Sequence, residues 1–419
     1  MNALSRSDAD AKEKHLRVLH VFLFFQPDFT GEGLYFAKLA PLFVELGIRS
    51  DVVVAARTAA EEPSVAGIDS VFRLVDSGVQ RLWGNRRLLL WMVKNARRYD
   101  VVHIHCQVDR LLLPHLIARL SGCRVIQSAT LDDGLGMVAD SYGARGRWLI
   151  RRLLRLISHM VAISPRLYED SLRIADKQRV SLIPQGVKWQ SLLSDPERRA
   201  AARAAFGLAP DDIVLLFVGG LCERKDVMFL LDAMPRISRA GVRARLLVVG
   251  PDVEPDYGRA VRQRAATLGD GTVLFAGYLE DPSPAYFAAD VFVFASREEG
   301  FGNVLIEAMA AGLPVVSRRL PGVTDSFISD GENGLLFSDS DGYADILIDL
   351  LKNESQRRRI GSAARASTAR YDLAAMAQRY AAVYRGRTET GRSASDEPAA
   401  ASSPRVSPIG GVPGSPNRV

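Results

Sequence analysis

Two carboxylates, Glu299 and Glu307, bracket the most chemically loaded segment of this chain, Ser296-Arg297-Glu298-Glu299-Gly300-Phe301-Gly302-Asn303-Val304-Leu305-Ile306-Glu307-Ala308-Met309-Ala310. A glycine-rich turn, Gly300-Phe301-Gly302, leads into a run that reads as a helix. Asn303 is placed to cap it, and Gly312 followed by Pro314 to end it. Apart from Glu307, the side chains of Val304 to Ala311 are apolar. A helix apolar on all sides is a buried one. An ionised Glu307 inside it costs several kcal/mol unless something hydrogen-bonds to it. Two partners fit: a neighbouring Arg, or a ligand rich in hydroxyl groups.

Two further loops carry chemistry of a related kind. Gly219-Gly220-Leu221-Cys222-Glu223-Arg224-Lys225-Asp226 leaves an apolar strand and enters a helical stretch. Its glycines permit close backbone approach and its two adjacent cations suit a diphosphate; the plainer reading is a turn with a solvated charge pair. Gly277-Tyr278 sets an aromatic ring at a strand end, where it can face a nucleotide base or simply pack. The helix after Gly302 adds N–H groups and a dipole that attract anions.

The elements that must position these residues alternate regularly. Continuous apolar runs at 17–25, 51–55, 101–105, 125–128, 160–164 and 180–184 read as buried parallel strands, with a helical pattern at 34–46 after the first. A polar, helix-prone stretch follows at 188–209. A second strand series runs through 213–219, 246–250, 273–277, 291–295 and 315–317. Alternating strands and helices imply parallel sheets covered on both faces, and ligands then bind beyond the carboxyl ends of the strands. The expected class is α/β, with two Rossmann-like doubly wound domains facing across a cleft. The expected parts are a flexible N-terminus (1–15), a first domain (16–187), a linker (188–211), a second domain (212–371), a C-terminal helix (372–386) and a disordered tail (387–419).

Bulk properties set the outer bounds. The chain has 419 residues, 47% of them hydrophobic, enough for two full cores. The formal charge, 54 − 48 = +6, points only weakly toward nucleic acid or anionic membrane, and nucleic acid is not expected as a partner. Three cysteines, Cys106, Cys123 and Cys222, without a C-x-x-C pair read as free thiols in a reducing compartment. The first fifteen residues are polar and the run at 18–25 is too short to span a bilayer. The expectation is a cytoplasmic protein, with peripheral contact on the inner face of the membrane.

With these residues in view, the second half resembles glycosyltransferase family 4, the retaining, sugar-nucleotide-dependent transferases of GT-B fold. The resemblance rests on Glu299…Glu307 with Gly-Phe-Gly inside, on Glu307-Ala308-Met309-Ala310-Ala311-Gly312-Leu313-Pro314-Val315-Val316, on Gly322-Val323-Thr324-Asp325 and on Gly331-Glu332-Asn333-Gly334-Leu335. Weaker likeness extends to Asp100-Val101-Val102-His103-Ile104-His105 and Ile183-Pro184-Gln185-Gly186-Val187. It implies that the first domain (16–187) binds the acceptor and the second (212–371) the sugar nucleotide, that the helix at 372–386 crosses back to the first domain, that Glu299 contacts the donor sugar and that Glu307 contacts the nucleotide ribose. It also implies that Lys225 with Arg224 neutralises the leaving diphosphate, and that the backbone at Gly302, Asn303 and Val304 lies near the sugar-phosphate. Gly219, Gly220, Gly277, Tyr278 and Phe301 complete the donor set. No metal and no cofactor are expected beyond the nucleoside-diphosphate sugar donor.

The chain also departs from the family pattern. Gly220 stands where an Arg is usual, Thr130 where a His is usual, and Gly31-Glu32-Gly33 where a glycine pair is usual, so that Glu32 projects at the cleft. Asp325, Gln185 and Lys188 also replace the usual residues. The acceptor side is accordingly assigned to Gly31, Glu32, Gly33, His105, Thr130 and Asp132, with Asp133 nearby.

Other signals weigh less. Gly31-x-Gly33 lacks the third glycine of a dinucleotide fingerprint, because Phe36 stands there, and Asp51 begins a strand rather than ending one. His103 and His105 share one strand face, but no third ligand is evident in the sequence. Two basic helical stretches, at 81–98 and 145–156, carry Trp83, Trp91 and Trp148 and read either as surface helices or as contacts with an anionic membrane. The function expected is transfer of a sugar from a nucleoside-diphosphate sugar to a glycan or lipid-linked acceptor, in surface polysaccharide or glycolipid biosynthesis. The alternatives are a catalytically silent nucleotide- or glycan-binding module, and a transferase acting on a soluble sugar-phosphate.

Overall fold

The computed structural model describes residues 15–28, 30–55, 64–75, 86–105, 112–129, 148 and 152–387. Strands β1 (Leu16–Phe22), β2 (Ile48–Val54), β3 (Ile68–Arg73), β4 (Val101–Ile104), β5 (Arg124–Ala129), β6 (His159–Ala162) and β7 (Val180–Leu182) form one sheet in the order 3-2-1-4-5-6-7. Strands β8 (Ile213–Val218), β9 (Ala244–Val249), β10 (Val273–Gly277), β11 (Val291–Phe294), β12 (Val315–Arg318) and β13 (Leu335–Phe337) form a second in the order 10-9-8-11-12-13. Every ladder is parallel. Apolar runs such as Val18 to Phe22 are buried because helices cover both faces. In each sheet the strand order reverses beside the first strand, between β1 and β4 and between β8 and β11. That is where an open α/β sheet opens a crevice.

Two strands escape the sequence reading. β3 is an edge strand with mixed burial, and β13 has three residues; neither offers a long apolar run. The stretch at 188–209 holds a short 3-10 turn, Trp189–Leu192, and the helix Pro196–Ala205, capped where Asp195 Oδ1 accepts from the Arg198 N–H at 2.8 Å.

The helix Leu373–Tyr384 lies on the first sheet, although it follows the last strand of the second. Val187 secures its start from both sides. Its N–H donates to the Tyr371 carbonyl at 2.7 Å, and its carbonyl accepts from Leu373 at 3.2 Å. Leu373, Met376, Ala377, Tyr380 and Tyr384 then bury themselves against β1 and the helix Gly31–Glu45. Full burial of each such large side chain is worth about 1.5–3 kcal/mol. The two sheets also share apolar packing, with Ile163, Leu167 and Val187 meeting Phe301, Leu305, Phe327 and Tyr371. A backbone bond from Arg166 N–H to the Gly322 carbonyl, 3.1 Å, crosses the same seam.

Candidate active site

The helix Asn303–Ala310 forms where the sequence places it, but Asn303 does not cap it. Asn303 is the first helical residue. Gly302 takes the cap position at φ 97°, in the left-handed region that favours glycine, and no side chain caps the helix. The Asn303 Oδ1 is buried without a hydrogen-bond partner among the described residues. The C-terminus closes as a Schellman motif: Gly312, at φ 82°, donates to Met309 at 2.9 Å, and Leu313 donates to Ala308 at 3.0 Å.

This helix follows β11, and the Arg224-Lys225 turn follows β8, so both arrive at the crevice of the second sheet. There the structure brings the three residues assigned to catalysis together. Lys225 Nζ bonds Glu299 Oε1, and Arg224 Nη1 lies 3.0 Å from the same oxygen. Burial opposes the charge on Glu299, but Lys225 and then Arg224 outweigh it and hold the carboxyl below its usual range. The group thus carries a net positive charge beside an uncapped helix N-terminus, an arrangement suited to an anion that gains charge as it leaves. Arg224 Nη1 also donates to the Glu298 carbonyl at 2.6 Å, while the Glu298 side chain faces solvent.

Asp226 fixes this turn, and the sequence reading missed it. It sits at φ 52°, strained for a non-glycine residue, and is buried. Arg297 grips its two carboxylate oxygens at 2.9 and 3.0 Å, and Arg318 adds a third bond at 3.0 Å. Those three charge-assisted bonds offset the strain and lock the turn to the loop that carries Glu299.

Glu307 has two partners that the sequence did not reveal. The Tyr286 hydroxyl donates to Oε2 at 2.8 Å, and Lys38 Nζ donates to Oε1 at 2.6 Å. Burial, with Glu307 alongside, pushes the Tyr286 phenol well above its usual range, so it stays a donor. Lys38 belongs to the helix Gly31–Glu45 of the first sheet, so this bond spans the two halves. The cation on Glu307 is therefore not a neighbouring Arg but a lysine from across the crevice. Nothing in the spacing of Lys38 or Tyr286 marks them in the sequence.

The remaining donor-side residues divide. Gly219 and Gly220 follow β8 at the crevice; a Cβ on Gly250 would lie 2.0 Å from the Gly219 carbonyl, so these strand ends pack at glycine distance. Gly277 turns out of β10 at φ 69° and leaves Tyr278 half exposed. The Phe301 ring turns inward, 5.4 Å from Phe327 and 6.1 Å from Tyr371, and belongs to the core. Any ligand contact from Phe301 therefore falls to its backbone. Val304 is partly buried beside Gly302 and Asn303.

On the first sheet, Gly31, Glu32 and Gly33 open the helix Gly31–Glu45 beside the switch point of β1 and β4. Glu32 is not free at the cleft: His105 Nδ1 lies 3.0 Å from its Oε1. His105 Nε2 lies 3.0 Å from His20 Nδ1, and His20 Nε2 is buried without a partner among the described residues. With Glu32 as carboxylate, both histidines donate from Nδ1, and the orphan atom is a bare lone pair rather than a buried N–H. His103 sits in register with His20 and bonds Ser128 Oγ and the Tyr384 hydroxyl, each at 2.8 Å. Burial holds His105 at about 3 and drives His20 and His103 well below the ordinary value, so all three are neutral.

The expectation that no third ligand accompanies His103 and His105 is corrected by His20: their candidate ligand atoms lie within 4.8 Å of one another. Both nitrogens of His103 and both of His105 are already engaged, however. The ring centroids of His103 and His105 lie 3.8 Å apart, tilted by 36°. Glu32, His105 and His20 form a hydrogen-bonded chain, and His103 packs beside it with partners of its own. His20 could have been noticed as the polar exception in the apolar run of β1, just as Glu307 was in its helix. Thr130 and Asp132 lie outside the described residues, as do Asp133, Cys106, Trp83, residues 81–85 and most of 145–151.

Two Rossmann-like parallel sheets, each with a crevice at its switch point, make this the GT-B fold. The model described as Glycosyltransferase Family 4 matches residues 29–189, and that described as Glycosyl transferases group 1 matches residues 212–353. The chain belongs to glycosyltransferase family 4 and is a glycosyltransferase. The D-inositol 3-phosphate glycosyltransferase 1 of Catenulispora acidiphila is 29% identical over 403 residues, 87% of this chain and 93% of that relative. The lipopolysaccharide core biosynthesis glycosyltransferase LpsE of Rhizobium meliloti is 37% identical over 164 residues, 38% of this chain and 46% of its own. The crystal structure of Anabaena HepE in complex with UDP and glucose has a TM-score of 0.72 at 20% identity, covering 88% of this chain and 100% of that one, a likeness of fold.

Proposed function

We propose that this glycosyltransferase moves a sugar, with retention, from a nucleoside-diphosphate sugar to a glycan or lipid-linked acceptor in surface polysaccharide or glycolipid biosynthesis. The carrying observation is the convergence of Lys225 and Arg224 on Glu299 at the crevice of the second sheet. Departure of a nucleoside diphosphate builds negative charge. The two cations and the helix beginning at Asn303 are donors already in place for it. Glu299 takes donor-sugar hydroxyls, and Glu307, held by Tyr286, takes the ribose. With these cations the leaving group needs no metal. No protein nucleophile is named, since retention is read as same-face attack assisted by the leaving phosphate. A UDP and glucose complex of a protein of the same fold, and a lipopolysaccharide-core relative, support the donor and acceptor classes.

The acceptor side is read on the first sheet, from Gly31, Glu32, Gly33 and His105, with Thr130 and Asp132 completing it. Contact with an anionic membrane belongs to this reading. The helix Arg86–Asn95 exposes Leu90 and Val93 among Arg86, Arg87 and Lys94; Trp148 is exposed as well, with Arg152 against its ring. Apolar residues set among cations suit such a surface. No helix among the described residues is long and apolar enough to cross a membrane. Sedimentation with anionic but not neutral vesicles at low salt tests the contact. Nucleoside diphosphate release from UDP-, GDP-, ADP- and CDP-sugars, with lipid and oligosaccharide extracts as acceptors, tests the transfer. Nucleotide binding without turnover would favour a silent binding module instead.

A further inference from the structure

Glu307 has two claimants for one oxygen. In the structure Lys38 Nζ holds Oε1 at 2.6 Å, while the reading above gives this carboxylate to a ribose. Tyr286 holds Oε2 from within the same half, and it is buried. Glu307 is itself only 13% exposed, which leaves little room for a third group beside both. We propose that Lys38 is a residue of the sugar-nucleotide site supplied by the opposite domain. It occupies the ribose carboxylate until the ribose displaces it, so that donor binding and release of this interdomain bond are a single exchange. The proposal rests on the reading of Glu307 as the ribose partner.

The two ends of the bond are unequal, and the inequality gives the exchange its direction. Lys38 is 52% exposed and carries its charge on a flexible stem, so it can return to water at little cost. Glu307 cannot do so: left alone it is a buried charge in an apolar helix, and it must be given new donors. Two ribose hydroxyls are donors of the right kind, and Tyr286 stays as the fixed third. Lys38 lies midway along the helix Gly31–Glu45, which also carries Glu32 at its start. Its release would therefore let the two halves part on the side that fronts the proposed acceptor region, with the backbone bond between Arg166 and Gly322 kept as the pivot. A half-exposed ion pair is weak, and competition from it lowers apparent nucleotide affinity by about two- to fivefold.

The test uses the full chain with Lys38→Met, which keeps the stem, Lys38→Arg, which keeps the charge, and Glu307→Gln. Small-angle scattering without nucleotide should show a larger radius of gyration for Lys38→Met than for wild type, and the wild-type value for Lys38→Arg. The double variant Lys38→Met/Glu307→Gln should be no more expanded than Lys38→Met. Whichever of UDP, GDP, ADP and CDP wild type binds should bind Lys38→Met about two- to fivefold more tightly. Unchanged scattering, or unchanged or weaker nucleotide binding by Lys38→Met, would overturn the proposal. If wild type binds none of the four, the donor-site reading fails and takes this proposal with it. An expanded Lys38→Met would then mark only an interdomain contact.

Discussion

At the scale of single residues, the site is a set of charges held at fixed positions by other charges. Glu299 is anionic because Lys225 and Arg224 make it so against the cost of burial. Removing it should disorganise both cations without unfolding the protein. Glu299→Ala is expected to lower turnover by about 10²–10³, with an unchanged far-ultraviolet dichroism spectrum; wild-type turnover would sink its assignment. Asp226 is a different kind of residue, one that shapes the turn. Asp226→Ala leaves Arg318 short of a partner and keeps a non-glycine residue at φ 52°. It should cost about 1.5–3 kcal/mol in urea denaturation, the worth of hydrogen bonds to a charged group, since Arg318 is left largely buried without its carboxylate. A loss below about 0.5 kcal/mol, the range of ordinary surface substitutions, would show that the clamp is incidental. Glu307 stood out in the sequence as the polar exception in an apolar helix, and Glu299 and Lys225 as charges beside glycine-containing loops, which the structure brings into contact. Asp226, Tyr286 and Lys38 were not, because they matter through partners 71, 21 and 269 positions away.

At the scale of elements, the alternating apolar runs gave the strands of both sheets apart from β3 and β13, and the helix Asn303–Ala310 appeared where its apolar run demanded. Its caps were read half correctly. Asn303 looked like an N-cap, but the turn needs a left-handed residue there, and Gly302 supplies it. Gly312 does end the helix, and its role is exacting: a Cβ there would lie 2.5 Å from Arg365 Nη2, a group that also bonds the Ala311 carbonyl. Gly312→Ala should therefore destabilise by about 1–3 kcal/mol, combining left-handed strain with the loss of that bond. Thermal unfolding at neutral pH measures it, and a neutral result would show that the Arg365 end simply swings aside.

At the scale of the whole molecule, the histidines set a limit on acid stability. His20, His103, His105, His115 and His159 are all buried with depressed values, His115 and His159 at about 4. A histidine depressed in the folded state stays neutral there but charges in the unfolded chain below about pH 6.5. The unfolded state then binds more protons, so stability falls as pH drops from about 6.5 toward the folded values. Each histidine contributes a limiting slope of about 1.4 kcal/mol per pH unit. Acid unfolding followed by dichroism should accordingly begin between about pH 6 and pH 5, before most carboxylates titrate. A fold intact at pH 4 would contradict this. The sequence showed the histidines but not their burial, because His20 and His103 become neighbours only when β1 pairs with β4.

The central claim is that the Arg224, Lys225, Glu299 and Glu307 group binds a sugar nucleotide. Calorimetric titration with UDP-, GDP-, ADP- and CDP-sugars tests it most directly, comparing wild type with Lys225→Ala and Glu307→Ala. One nucleotide series should bind wild type and bind each variant at least about tenfold more weakly, the loss expected for a charge-assisted bond. Binding of none of the four series, or equal binding by all three proteins, would contradict it.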